Sequence, residues 1–467
     1  MVFGLMAGVQ TKELLDRLRL GRERADASGR PVLISVAQPG PQDRTAFSIF
    51  GARGVQNTYR SFWARPSGDF WLVGIGTATA ISVNGERPID EARRAHRSLF
   101  ESAVISDPGI RGVGPLFFGG FRFDPQAPRS DLWKDFPGGL LVLPKFLFTF
   151  SAGSSWLTIN VIMKPGADPE EEAEAALAEL GHWLNGAHVP SEAHPALQVF
   201  QTPSNEWEQW VRQSLQAIEN GQLTKVVLAR KMTLQAEKEF STEAALSCLS
   251  SAYPDCSVFA MDNGASTFVG ASPESIVHLD KGILSLSCLA GSIARGATSE
   301  QDQQFAVQLL ASAKDRREHD AVVAMIAETL SRACNDIHWD ATPQVVKLRT
   351  VQHLATFFRG HPKEPHDILA LVELLHPTPA VAGVPTPKAM ETIRRLEGDR
   401  GWYAAPVGWL DNHGEGEFDV AIRSAVVCGK QATLFAGSGI VQGSEPDLEF
   451  KETELKFQPM LAALRGF

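Results

Sequence analysis

Three charged residues interrupt otherwise apolar stretches in the second half of the sequence, where an ion is costly unless it is used or paired. Lys225 opens the run KVVLARK, Glu274 lies in GASPES, and Arg423 lies in VAIRSA, inside a strand predicted over residues 418–427. A lysine and a glutamate can exchange protons with a substrate, and an arginine can hold a carboxylate through two parallel hydrogen bonds. Taken singly, each residue also has a structural explanation, as an exposed strand end, a turn residue and a buried ion-pair partner respectively.

Acidic residues on two predicted helices suggest a cation site. Glu449, Glu452 and Lys456 are spaced i, i+3 and i+7 in the closing helix, so they share one face. Glu318, in DRREHD, belongs to a long helical stretch predicted over residues 299–334. Carboxylates that converge from two helices are the ligands that Mg²⁺ prefers. Spacing alone leaves open an ordinary helix surface in which Glu452 pairs with Lys456.

Several segments rich in small residues could present backbone N–H groups to a carboxylate, although glycine more often serves a tight turn. These segments are residues 289–292, residues 436–439 and the turn at Gly383. The sequence contains no Walker loop, GxGxxG fingerprint, GxSxG elbow, HExxH or CxxC motif. The common nucleotide, serine-hydrolase and zinc signatures are therefore excluded.

The composition narrows the class of protein. The chain has 467 residues, of which 44% are hydrophobic and 21% charged, as in globular proteins. A net charge of −10 without a basic tract argues against a nucleic-acid-binding protein, which needs a basic face. Five scattered cysteines indicate a reduced, intracellular protein, and no apolar run approaches the ~20 residues of a membrane span. We expect a cytoplasmic protein with neither a nucleic-acid nor a membrane partner.

The order of predicted elements indicates the fold class. Strands punctuated by helices, without strict β–α alternation, predict an α+β fold with antiparallel sheets. A polar segment with two prolines, residues 186–197, is the best candidate for a boundary. It separates an N-terminal part, residues 1–190, from a second part, residues 200–467.

Ten motifs in sequence order carry a resemblance to a known family. They are KVVLAR, GASPES, LAGSIARG, KDRREHD, VQHLATFFRG, LLHPTPAVAGVP, DRGWYAAPVGW, FDVAIRSA, FAGSGIV and LEFKETELK. Together they resemble the chorismate-utilising enzymes, most closely the isochorismate synthases of the menaquinone-pathway type. The resemblance implies large antiparallel sheets in a layered core with outer helices. It also implies that residues 200–467 form the chorismate-binding catalytic part and that the variable residues 1–190 are intertwined with this core.

The resemblance also implies a reaction, in which water attacks C2 of chorismate while the C4 hydroxyl leaves. Lys225 matches the general base for the water, and Glu274 matches the acid that protonates the departing hydroxyl, since water is a poor nucleophile and hydroxide a poor leaving group. Glu318 and Glu452 match ligands of Mg²⁺, with Glu449 close by. The matching substrate-binding positions are Ala290, Gly291, Ser292, His353, Ala380, Tyr403, Arg423, Gly437, Gly439 and Lys456.

Two alanines favour the water-using branch of the family. Aminodeoxychorismate synthases usually carry lysine at the position of Ala290, and the amine-transferring enzymes carry threonine at the position of Ala380. No glutaminase motif is present, so we expect no obligatory glutaminase subunit. The length and the extended N-terminal part favour the menaquinone pathway. The alternatives are a siderophore-pathway isochorismate synthase and a salicylate synthase, which also eliminates pyruvate.

Overall fold

The structure is a computed structural model that describes residues 11–52, 58–186, 197–347, 351–364 and 366–466, without the side chains of Lys314 and Glu318. Within these residues the chain forms two large sheets and eleven α-helices. The predicted boundary over residues 186–197 lies almost wholly outside the described residues. No described helix is long and apolar enough to cross a membrane.

The larger sheet joins strands from the two ends of the chain. In spatial order its strands are β10 (Leu197–Gln201), β11 (Lys225–Ala236), β23 (Gln431–Val441), β22 (Ser424–Cys428), β13 (Thr267–Ser272), β12 (Ser257–Asp262), β2 (Arg60–Arg65), β3 (Phe70–Ile75), β8 (Phe146–Ser151), β9 (Ser154–Met163), β1 (Val32–Pro39) and β5 (Val104–Ser106). The short strand β19 (Gly383–Val384) pairs with the start of β11. Strand β12 pairs with β2, so residues before 190 and after 200 share one hydrogen-bonded ladder.

The smaller sheet mixes the two ends of the chain in the same way. Its strands, in spatial order, are β16 (Cys334–Trp339), β18 (Val351–Pro362), β15 (Ile283–Ala294), β14 (Ser275–Asp280), β21 (Gly416–Val420), β20 (Pro406–Asp411), β6 (Leu116–Phe121), β7 (Gly139–Leu143) and β4 (Thr79–Val83). Strand β17 (Gln344–Lys347) pairs with β18 beside β16. Among the described strands every pair is antiparallel except β1 with β5, which confirms the predicted α+β fold with antiparallel sheets.

The helices cover the outer faces of the sheets. They are α1 (Thr11–Ser28), α2 (Ala46–Phe50), α3 (Pro88–Phe100), α4 (Pro169–Leu184), α5 (Ser204–Glu219), α6 (Thr242–Ala252), α7 (Ser299–Ala311), α8 (Ala313–Ala333), α9 (Ile368–Leu375), α10 (Thr386–Glu397) and α11 (Pro446–Arg465). The helical stretch predicted over residues 299–334 consists of two helices, α7 and α8. The helix breaks at Ser312, whose hydroxyl caps the backbone N–H of Asp315 and so starts α8 anew.

Alternating side chains of the larger sheet build two separate hydrophobic cores. Trp63 and Phe259 face the smaller sheet, while their sequence neighbours Phe62 and Val258 face the outer helices. A strand exposes successive residues to opposite faces, so a sheet covered on both faces needs continuous apolar runs. The run SVFAMD of β12, buried at all six positions, has this pattern.

Two of the connections by which the chain passes between the sheets lie side by side. It leaves the larger sheet at the end of β13 and enters the smaller one at β14, with Pro273 and Glu274 between. It returns between β21 and β22 through residues 421–423. The strand predicted over residues 418–427 is therefore wrong, because Arg423 lies in this connection with a left-handed φ of 51° that a continuous ladder does not accommodate.

Candidate active site

The two sheet-crossing connections bring Glu274 and Arg423 together. The backbone N–H of Val420 donates to the Glu274 carbonyl at 2.9 Å, and the N–H of Ala271 donates to the Arg423 carbonyl at 3.1 Å. The Ser272 hydroxyl donates to the Val420 carbonyl and so holds the two connections side by side. Each residue sits where the ladder is interrupted, in a connection between the two sheets.

Glu274 is a buried carboxyl surrounded by cations from three elements. Burial raises the pKa of Glu274 to about 7, against the opposing charges of Lys225, Arg423 and Lys456. Such a group holds its proton near neutral pH and can release it there, as a general acid must. The structure thus brings together the predicted acid, the predicted base and two predicted anion-binding cations.

Lys225 enters the site from the start of β11, over a glycine of the neighbouring strand. A Cβ at Gly439 would lie 3.0 Å from Lys225 Cε and 3.6 Å from its Nζ. Lys225 is also the register partner of Val384 in β19 and of Val441 in β23. The glycine therefore provides the space through which the lysine side chain passes.

A buried ion pair that the sequence analysis missed holds this end of β11. Between the stretches that pair with β19 and β10, this edge of β11 has no partner among the described strands, and Arg400 Nη2 donates to the Val227 carbonyl at 2.6 Å. Glu397 Oε1 accepts from the Ala229 N–H at 2.8 Å and from Arg400 Nη2 at 2.7 Å. The pair satisfies backbone groups that would otherwise be buried without partners. The motif DRGWYAAP contains Arg400, whereas Glu397 lies two residues before it and carries no signal of its own.

The same arginine connects β11 to the predicted position Ala380. Arg400 Nη1 donates to the Val381 carbonyl at 2.8 Å, and the Val227 N–H donates to the Ala382 carbonyl at 2.9 Å. Ala380 is half-buried at the start of this turn. The segment is thereby held against the strand that carries Lys225.

Tyr403 and Lys456 both meet β23 at Gly437. The ring of Tyr403 stacks on Phe435 at a centroid distance of 5.0 Å, and a Cβ at Gly437 would lie 3.3 Å from its hydroxyl. Burial raises the pKa of Tyr403 to about 12, so its hydroxyl remains a donor. Lys456 Nζ donates to the Gly437 carbonyl at 2.9 Å, and burial lowers the pKa of this lysine. Gly437 therefore serves this site with its carbonyl as well as by its lack of a side chain.

A bulge in β15 positions three more predicted residues. Ala290 pairs with Leu354 and Ser292 with His353, so Gly291 is the extra residue, and it has a φ of 74°. The Ser292 hydroxyl and His353 Nδ1 are 2.8 Å apart. Burial, with the charges of Arg423 and Lys456, lowers the pKa of His353 to about 4. The histidine is therefore neutral at pH 7.

The predicted metal ligands lie on α8 and α11. Glu449 accepts a hydrogen bond from the Ser438 hydroxyl, and Glu452 forms an ion pair with Lys456 while its side chain stays 48% exposed. The charge of Glu452 also acts on Arg423 and His353. Glu318 belongs to α8, and its side chain lies outside the described residues. Among the described side chains, no three His, Cys, Asp or Glu residues gather around one point.

Comparisons with known proteins agree with this architecture. The family model described as "Chorismate binding enzyme" matches residues 20–465. The chain is 35% identical to Isochorismate synthase MenF of Bacillus subtilis, over 97% of each chain. It is 34% identical to the salicylate biosynthesis isochorismate synthase of Pseudomonas aeruginosa, over 94% of this chain and 92% of that protein.

A solved structure shows the same fold. The menaquinone-specific isochorismate synthase MenF from Escherichia coli superimposes with a TM-score of 0.78 and 26% identity, over 97% of this chain and 99% of that one. The family match spans both sheets and all the positions described above, apart from the few residues at each end. The chain therefore belongs to the chorismate-binding enzyme family.

Proposed function

We propose that this protein is an isochorismate synthase, which adds water at C2 of chorismate and releases the C4 hydroxyl. The observation that carries the proposal is the enclosed set of Lys225 and Glu274 with Arg423 and Lys456, a base and an acid beside two cations for a dianionic substrate. The two relatives from Bacillus subtilis and Pseudomonas aeruginosa, both named as isochorismate synthases, support it.

In the proposed reaction Lys225 takes a proton from the attacking water as the C2–O bond forms. Glu274 gives its proton to the C4 hydroxyl, which leaves as water when the C4–O bond breaks. The double bonds of the ring shift between these two carbons, so substrate and product are isomers. The proton on Lys225 then returns to Glu274 through solvent. A pKa near 7 lets Glu274 act in both directions of this cycle.

The remaining residues bind and orient chorismate. Arg423 and the Tyr403 hydroxyl are placed to hold the enolpyruvyl carboxylate, and Lys456 adds a second positive charge. Neutral His353, with Ser292, lines the ring. Ala290 supplies no amine that could compete with water as the nucleophile.

We propose Mg²⁺ as the metal of this site. The carboxylate oxygens of Glu449 and Glu452, on one face of α11, are hard ligands that suit this ion, and Glu318 of α8 would complete the set. When bound, the ion supplies positive charge for the ring carboxylate. We expect exhaustive EDTA treatment to abolish turnover and added MgCl₂ to restore it. Full activity after chelation would contradict the metal assignment.

The function is tested with purified protein, chorismate and MgCl₂, without ammonium or a glutaminase. We expect isochorismate as the single product, resolved by chromatography and identified by NMR. Salicylate with pyruvate would move the protein to the salicylate synthases, and a requirement for ammonium would move it to the amine-transferring enzymes. Unchanged chorismate would contradict the proposal.

We propose that the product feeds menaquinone synthesis, because the relative from Bacillus subtilis carries that pathway's designation and matches over the full chain. The Pseudomonas aeruginosa relative, whose name assigns it to salicylate biosynthesis, favours the alternative. Deleting the gene in its own host should deplete menaquinone. Loss of a salicylate or catechol siderophore with menaquinone intact would overturn this assignment. We place the reaction in the cytoplasm, where the five unbridged cysteines stay reduced.

A further inference from the structure

Two buried carboxylates lie on one face of β21, next to the candidate site. Glu417 and Asp419 are 0% and 1% exposed. Arg65 of β2 contacts both, since its Nε donates to Glu417 Oε2 at 2.6 Å and its Nη2 lies 3.4 Å from each Asp419 carboxylate oxygen. An arginine from the N-terminal part thus reaches the strand that leads to Arg423.

The two carboxylates differ in their position along the neighbouring strand β14. Asp419 is the register partner of Ser275, the residue that follows Glu274, whereas Glu417 is the partner of His278. The next residue after Asp419, Val420, donates its N–H to the Glu274 carbonyl. The two carboxylates are two residues apart on β21, so Glu417 lies roughly 7 Å farther than Asp419 from the start of β14.

We propose that Asp419 is a positioning residue for the acid Glu274, a second buried carboxylate whose negative charge opposes the ionisation of Glu274 and so keeps its proton available. The proposal rests on the function proposed above, in which Glu274 is the proton donor. Arg65 forms an ion pair with Asp419 at 3.4 Å and so offsets part of the cost of burying this carboxylate.

The charges that face Glu274 come from every element around it. Lys225 of β11, Arg423 of the second crossing and Lys456 of α11 favour its ionised form, and Asp419 of β21 opposes them. The uncharged thiol of Cys288 in β15 and the phenol of Tyr403 complete the surroundings. Asp419 is therefore the negative charge among these groups, and its effect on Glu274 is smaller than that of each of the three cations.

Burial raises the pKa of both carboxyls, that of Asp419 against the charge of Arg65 and that of Glu274 against three cations. The charge of ionised Asp419 acts on Glu274 in the direction that holds its proton. Like charges close together cannot both form easily, and the second proton is held.

The test measures the ionisation of Glu274 directly. In Asp419→Asn, the side-chain shape is kept and the charge is removed. We expect the pKa of Glu274, followed by ¹³C NMR of protein labelled at the glutamate carboxyl and assigned with Glu274→Gln, to fall by on the order of 0.5 unit or more. The alkaline limb of kcat against pH with chorismate should move to lower pH by the same amount.

The matched control is Glu417→Gln, which removes the same charge from the same strand face and disturbs the same arginine. We expect this variant to leave the pKa of Glu274 and the alkaline limb in place. An unchanged Glu274 pKa in Asp419→Asn, or an equal shift in both variants, would overturn the proposal. The NMR titration does not depend on turnover, so a wild-type protein inert toward chorismate would contradict the proposed function without deciding the effect of Asp419.

Discussion

Two glutamates in neighbouring regions of this molecule ionise in opposite ways. Burial raises the pKa of Glu274, whereas two nearby arginines, Arg65 and Arg111, outweigh burial at Glu417 and lower its pKa. The two glutamates differ in the hydrogen bonds that their carboxylates accept. Glu417 accepts hydrogen bonds from Arg65, from Arg111 and from Trp63 Nε1, the last at 3.1 Å. The cations near Glu274 act on it through their charge, and no hydrogen bond to its carboxylate accompanies them among the described contacts.

This comparison shows how one fold can keep one glutamate, Glu417, ionised and leave another, Glu274, protonated near neutral pH. A carboxylate that directly accepts several charged donors is held ionised, and it ties strands together. A carboxyl that is buried without such donors keeps its proton near pH 7. The first arrangement stabilises the junction between β2 and β21, and the second makes the proposed chemistry available at the crossing after β13.

We expect the largest loss of activity when Glu274 can no longer donate a proton. Glu274→Gln keeps the shape and the hydrogen-bonding capacity but cannot donate the proton, so we expect kcat with chorismate to fall by about 10³-fold or more. Glu417→Gln, the matched change at the ionised glutamate, should retain most of the activity per folded molecule. Steady-state kinetics at pH 7.5 and circular dichroism of both variants check this. Comparable activity of wild type and Glu274→Gln would show that Glu274 is not the proton donor.

The raised pKa of Glu274 should also make the stability of the protein depend on pH. The folded-state pKa of Glu274, about 7, lies above its ordinary value, so the native protein binds an extra proton between pH 4.5 and 7. Its contribution to stability is fully present below pH 4.5 and is lost as the pH rises through 7. We expect Glu274→Gln to be more stable than wild type by about 3 kcal/mol at pH 8, with the gap closing towards pH 5. Urea denaturation at both pH values measures it, and a variant less stable than wild type at pH 8 would contradict the assignment.

The opposite sign is expected at Glu417. Its folded-state pKa is lowered, so its contribution to stability is present above its unfolded pKa and is lost as the pH falls through the folded value. Glu417→Gln should lower the free energy of unfolding by about 2 kcal/mol at pH 8, because two charge-assisted hydrogen bonds are lost. Thermal unfolding at pH 8 checks this. A variant as stable as wild type would show that Arg65 and Arg111 find other partners.

We expect the smallest effect from a substitution that narrows the space beside Lys225. In Gly439→Ala the new Cβ would lie 3.0 Å from Lys225 Cε, so the lysine must move while the strand remains intact. A displacement of the base on this scale should lower kcat by about 10- to 100-fold. Gly68→Ala, at a glycine with open space around it, is the control and should leave kcat unchanged. An active Gly439→Ala variant would show that the position of Lys225 is not restricted there.

The local sequence correctly predicted the features that depend on residues close together in the chain. The antiparallel α+β fold follows from strand runs and turns, and the motif around Glu274 follows the end of its strand as expected. The helix break at Ser312 was missed because its signal, one capping hydroxyl, is weak within a long helical pattern. The strand through Arg423 was wrong because apolar neighbours indicate burial and do not reveal that the chain changes sheets.

The sequence alone identifies the residues that could do chemistry: a lysine, a glutamate, an arginine and a set of acidic helix positions, each in a recognisable motif. It also contains the apolar strand runs whose alternating side chains build two cores. Which charged side chains lie close together follows only from the tertiary structure. Arg65 lies 352 positions from Glu417 in the chain, and Arg400 lies 173 positions from Val227. Interactions at such separations depend on the pairing of strands across two sheets. The state of each buried carboxyl depends on those contacts and on the exclusion of water, which no local pattern encodes.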